Sequence, residues 1–176
     1  MNLSALKSPP FRSYVVSLHL ALNGFWAQRV IIGWLAWEMT GSAGFVGLVA
    51  FLNFFPTLFV SPLFGVFADR IDVRKGSILS YALAGILSAL FAGLCIFGSP
   101  TPVLLALFSF VTGVISSANH PMRMSLTPRL APAGDLPSVV AITSLNFNMS
   151  RLTGPAIGGI LIPVSYTHLR AHETSR

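Results

Sequence analysis

Five runs of predominantly apolar residues, each about twenty long and separated by short polar connections, constrain this chain more than any other feature. A helix of that length crosses roughly 30 Å of hydrocarbon. Backbone polar groups in lipid must be satisfied within the segment, and the runs lack the period-two alternation of a barrel strand, so all five are read as helices. Their expected limits are 14–37, 44–67, 78–97, 103–118 and 139–162. Composition agrees, because 9% of residues are charged, whereas a soluble domain carries about 25%. The fold class is therefore all-α, a polytopic membrane protein with five transmembrane helices.

The net charge of +6 does not point to nucleic acid, because the Lys and Arg residues fall in clusters between apolar runs. Lys7 and Arg12 precede the first run, Arg70, Arg74 and Lys75 follow the second, and Arg123 and Arg129 follow the fourth, while the alternate loops carry neither residue. By the positive-inside rule the amino terminus is cytoplasmic and the fifth helix ends on the opposite side. Trp34 and Trp37 suit the outer interface as aromatic anchors. The first apolar run is longer than a signal-peptide core and lacks a small-residue cleavage site, so it reads as a retained helix. Cys95 has no second cysteine to pair with and reads as a packing residue.

The chain ends differently from how it runs. After Ile162 the apolar pattern stops at Pro163, and 164–176 reads VSYTHLRAHETSR. The string resembles translated sequencing-adapter read-through, and is expected to be a non-biological tail attached to a transmembrane region at 1–163. His168 and His172 have the i, i+4 spacing of a helical metal pair. Because they lie in this tail, no metal site is expected.

Two loops and helices carry more specific patterns. From Gly65 to Gly76 the sequence is GVFADRIDVRKG. Gly65 permits close helix approach, Asp69 can face a helix N-terminus, and Arg70, Arg74 and Lys75 can join cytoplasmic ion pairs. In the fifth run, SRLTGPAIGGIL spans Ser150 to Leu161. Pro155 removes a backbone donor and favours a kink, while Gly154, Gly158 and Gly159 offer a smooth packing surface. The first pattern resembles motif A of the major facilitator superfamily, with Asp72 and Val73 where Gly and Arg are commoner. The second resembles the end of motif C, the antiporter-associated element, with Ala141 and Ser150 at the two earlier glycine positions. Motif B is not preserved: alignment on Gly113 puts Ser109 and Thr112 where an arginine and a glutamine are usual. Pro121, Arg123, Ser125, Pro128, Asn146, Asn148, Arg151 and Gly154 together resemble the secretion-type branch that includes enterobactin exporters.

The resemblance implies a twelve-helix fold in which this chain supplies five helices of the N-terminal half. It implies that Gly65, Asp69, Arg70, Arg74 and Lys75 latch the outward-facing state, and that Gly154, Pro155, Gly158 and Gly159 pack helices. It further implies an efflux protein of the bacterial inner membrane whose partners are the lipid bilayer, a small-molecule substrate and the missing C-terminal half.

Polar residues within apolar runs are costly and are functional candidates by default. At about 100° per residue, His19, Asn23, Trp26, Arg29 and Gly33 share one arc of the first helix, and Arg151 rises beside the packing face of the fifth. His19, Asn23, Arg29 and Arg151 are the candidate cavity residues. Asn53 and Pro56 read as a kink. No span contains Asp or Glu, so proton coupling would use His19, Asp69 or the missing half.

The expected function is secondary active export of a siderophore, drug or other amphipathic or anionic metabolite by alternating access, with this piece inactive alone. The alternatives are a non-transporting structural or assembly protein and the membrane anchor of an enzyme. No convergent nucleophile, base or metal set appears outside the tail, so neither enzyme activity nor a cofactor is expected.

Overall fold

The computed structural model describes residues 4–68, 72–130 and 135–173. The described chain is all helical, with a short 3-10 turn at Ser4–Lys7 followed by α1 (Pro9–Thr40), α2 (Ala43–Ala68), α3 (Val73–Phe97), α4 (Pro102–Arg129) and α5 (Leu136–Glu173). Helices α1 to α4 contain four segments long and apolar enough to cross a membrane. Helix α5 is not among them, because Asn146, Asn148, Ser150 and Arg151 interrupt its apolar run.

The chain divides into two compact units: Ile32–Leu130, and Met1–Ile31 with Ala131–Arg176. In the first of these, Ile32 and Ala36 of α1, Val49 of α2, and Leu105 and Phe108 of α4 form a buried cluster. Phe91 of α3 stacks on Phe108 with ring centroids 4.2 Å apart. Asn53 of α2 donates from Nδ2 to the Ser109 carbonyl and to Thr112 Oγ1, both at 3.2 Å. Gly113 allows this close approach, because a Cβ there would lie 2.5 Å from the Asn53 carbonyl oxygen. Asn53 is thus an interhelical tie between α2 and α4, not merely the mark of a kink.

The helix ends follow local chemistry. Gly41, with φ of +59°, donates its N–H to the Trp37 carbonyl and closes α1. Thr101 caps α4, its hydroxyl accepting from the Leu104 N–H, and Pro102 follows at the first helical position. At the start of α3, Asp72 Oδ1 accepts from the N–H groups of Arg74 and Lys75 at 3.0 and 3.3 Å.

Two boundaries differ from the sequence reading. The stretch after residue 118 was expected to be a connection, yet α4 continues to Arg129 with Pro121 and Pro128 inside it. Tertiary packing outweighs the prolines, since Ala118 and Met122 are buried with Val73 of α3. Ser80 of α3 also donates to Asn119 Oδ1. The second difference is α5, which continues past residue 162 to Glu173. Leu, Arg, Ala and Glu in that stretch are good helix formers, and no glycine stops it.

Candidate functional site

The unit containing the first part of α1 and α5 has a seam built on glycine. A Cβ on Gly154 would lie 2.6 Å from the Cβ of Trp26 and 2.9 Å from the Asn23 carbonyl oxygen. One on Gly158 would lie 2.8 Å from the Ala27 carbonyl oxygen. Gly159 faces the other way, with nothing within 4 Å, and Gly65 and Gly33 are similarly open. Of the glycines expected to pack, Gly154 and Gly158 therefore make the close α1 contact, and Pro155 between them is half-buried.

Beside this contact, helical spacing places His19 and Asn23 of α1 opposite Asn146, Ser150 and Thr153 of α5. His19 Nδ1 lies 2.6 Å from Asn146 Oδ1 and 3.1 Å from Ser150 Oγ. Asn23 Nδ2 lies 3.1 Å from His19 Nε2 and donates to the His19 carbonyl at 2.8 Å and to Ser150 Oγ at 3.2 Å. Thr153 donates its hydroxyl to Asn23 Oδ1 at 2.6 Å, and Asn146 donates from Nδ2 to the Val15 carbonyl at 3.1 Å. Asn23, Asn146 and Ser150 are buried, and His19 is half-buried. Interhelical hydrogen bonds in membrane proteins contribute about 0.6 kcal/mol each on average, so the network adds to the glycine packing without replacing it.

Arg29 follows Asn23 and Trp26 along α1, and Arg151 lies between Ser150 and Thr153 on α5. Arg29 places its guanidinium carbon 5.4 Å from the Phe25 ring centroid and 5.5 Å from that of Trp26. Arg151 reaches the Trp26 ring from α5 at 5.8 Å. Phe147 meets the same indole edge-on, with centroids 6.0 Å apart. A cation over an aromatic face gains roughly 0.5–2 kcal/mol, the larger value when desolvated. Trp26 therefore gathers two guanidinium groups from two helices onto one side chain. Its Nε1 is buried with no hydrogen-bond acceptor among the described residues.

Sequence periodicity found His19, Asn23, Trp26 and Arg29, and the structure brings the first three to α5. It missed Ser150 and Thr153 as polar partners, although Asn146, Ser150 and Thr153 recur at the i, i+4, i+7 spacing of one helix face. In the motif A loop, Arg74 and Lys75 are exposed on the first turn of α3. Asp69 and Arg70 lie outside the described residues, as do the side chains of His168 and His172. Among the described residues, no three His, Cys, Asp or Glu side chains converge on a possible metal position.

Long apolar helices and a glycine-packed seam with two arginines beside it describe a multi-pass membrane protein. A model of the transmembrane secretion effector family, part of the major facilitator superfamily, matches residues 1–169, and the chain belongs to this family. It is 31% identical over 169 residues to the enterobactin exporter EntS of Shigella boydii, covering 92% of this chain and 39% of that protein. Over 179 residues it is 31% identical to EntS of Escherichia coli, covering 92% of this chain and 39% of the relative. To the staphyloferrin A transporter of Staphylococcus aureus it is 25% identical over 151 residues, covering 84% of this chain and 38% of the relative. The chain thus spans about two fifths of the length of the curated relatives it matches. No solved structure matches it. These relatives are named as transporters.

Proposed function

We propose that the chain is part of a secondary active exporter of a small anionic molecule, working by alternating access between two six-helix halves of the bacterial inner membrane. In this reading α5 is the fifth span, the amino terminus is cytoplasmic, and the loop around Asp69 to Lys75 latches the outward-facing state. The relatives named for enterobactin and staphyloferrin A support export of a siderophore-like anion, because both names denote transport of such compounds.

The observation that carries the substrate class is the pair of guanidinium groups on Trp26. An arginine within a span costs about 2.5–3.5 kcal/mol on insertion scales, and such residues mark substrate or ion pathways. Residues 9–37 and 136–172 contain no Asp or Glu, so α1 before Glu38 and α5 before Glu173 supply no carboxylate. A planar aromatic anion could stack near the indole while its oxygens accept from the guanidinium forks, which suit bidentate anions better than an ammonium does.

Export assays on the full-length transporter in vesicles test this reading. Arg151→Lys should lower export of an anionic catecholate at least tenfold at normal membrane abundance, and Arg29→Gln should lower it as well. Unchanged export by the double variant would return both arginines to a packing role.

A further inference from the structure

The amide of Asn23 indicates which nitrogen of the ring it faces carries the proton. Its Nδ2 is identified by the bond to the His19 carbonyl, since an amide oxygen 2.8 Å from that carbonyl would be repelled. The same NH2 group faces His19 Nε2 at 3.1 Å, so Nε2 presents its lone pair and the ring proton sits on Nδ1. Asn146 agrees. Its Nδ2 is held by the Val15 carbonyl, which aims Oδ1 at His19 Nδ1 as an acceptor. In the neutral Nδ1–H tautomer Nδ1 donates toward Asn146 Oδ1, and Nε2 accepts from the Asn23 NH2 group, whose two hydrogens are shared among Nε2, the His19 carbonyl and Ser150 Oγ.

A second proton changes this at one place. Protonated Nε2 becomes a donor and meets the donor Nδ2 of Asn23. Rotating the Asn23 amide by half a turn brings Oδ1 to Nε2 and turns Nδ2 toward Thr153. The Thr153 hydroxyl can accept there, because its own proton has a second acceptor in the Met149 carbonyl at 2.9 Å. The rotated amide also places an oxygen against the His19 carbonyl, so the Asn23 side chain must swing off α1's own backbone. Ser150, now bonded to Nδ2, must then donate to Oδ1 or lose that bond.

We propose that His19 is a proton-binding site with two hydrogen-bonded states, exchanged by rotation of the Asn23 amide, so that proton uptake is transmitted from α1 to Ser150 and Thr153 of α5. The step is the binding of one proton from water to Nε2, with the ring gaining one positive charge and no bond broken elsewhere. All ring partners described above are neutral. Among the described side chains of this unit, the other charged and titratable groups are Lys7, Arg12, Tyr14, Arg29, Asp135 and Arg151; further along, the sequence of α5 carries Tyr166, His168, Arg170, His172 and Glu173. The inference rests on hydrogen-bond geometry and does not depend on the substrate or direction of transport.

Nitrogen-15 NMR of the full-length protein in lipid nanodiscs, labelled at histidine and asparagine side chains, tests it, with His19→Gln and Asn23→Ala used for assignment. The neutral ring of His19 should carry its proton on Nδ1, and acidification should protonate Nε2. The Asn23 amide resonances should move with the same midpoint. A neutral ring protonated on Nε2, a ring that takes up no proton on acidification, or Asn23 signals that stay fixed while Nε2 is protonated would each overturn the proposal. Where His19→Gln or Asn23→Ala fails to fold, replacing the other histidines and asparagines in turn assigns the same resonances by elimination.

Discussion

Gly158 lies so close to Ala27 that the α5 backbone rests on the α1 carbonyl, and a Cβ at Gly158 would be 2.8 Å from that oxygen. The contact leaves no room for a methyl group, and the atom it would meet is backbone, which cannot swing aside. Gly158→Ala should therefore destabilise the helix pair by about 1–3 kcal/mol, the usual cost of overpacking. Gly159→Ala, which meets nothing, should be neutral. Thermal unfolding in detergent compares the two, and equal melting temperatures would contradict the seam described above.

Asn53 ties α2 to α4 through the Ser109 carbonyl and the Thr112 hydroxyl. Asn53→Leu should cost about 1 kcal/mol, within the range measured for interhelical bonds in membrane proteins. In a double-mutant cycle with Thr112→Val the two changes should be less than additive, because each removes the same bond. Additivity would show that the tie contributes nothing measurable.

Asp72 stands where the family pattern more often has glycine, and its carboxylate caps α3. Asp72→Ala should lower stability by about 1 kcal/mol, while Asp72→Asn should retain most of it, since asparagine is an equivalent cap. If both variants lose the same amount, the charge matters and the cap does not.

Orientation is open to labelling in a Cys95→Ala background. Cysteine at exposed Ser42 should react with an impermeant maleimide from outside intact cells, and cysteine at exposed Lys75 only after permeabilisation. The reverse pattern would invert the topology inferred from Lys and Arg placement.

The arc of α1 was legible because a period of 3.6 residues is a property of one helix alone. His19, Asn23 and Trp26 could be grouped without knowing what they touch. Asn53, Ser150 and Thr153 were not legible as ties, because their role depends on which helix lies opposite. A serine or threonine reads simply as small until its partner is known. The extension of α4 through Pro121 and Pro128 was hidden for the same reason. Local propensity says the helix should stop there, and the burial of Ala118 and Met122 with Val73, which keeps it going, is a contact distant in sequence.

The polar residues of α5 have a consequence for how the protein is made. Thr143 and Asn148 return their donors to carbonyls one turn earlier in the same helix, so they can meet lipid at little cost. Asn146 and Ser150 cannot, because their partners Val15, His19 and Asn23 belong to α1. A helix leaving the ribosome with those groups bare would partition poorly from the translocon into lipid. Helix α1 is synthesised first and must remain within reach until α5 emerges, long after α2, α3 and α4 have passed. Its polar stripe would then act as an intramolecular chaperone for α5.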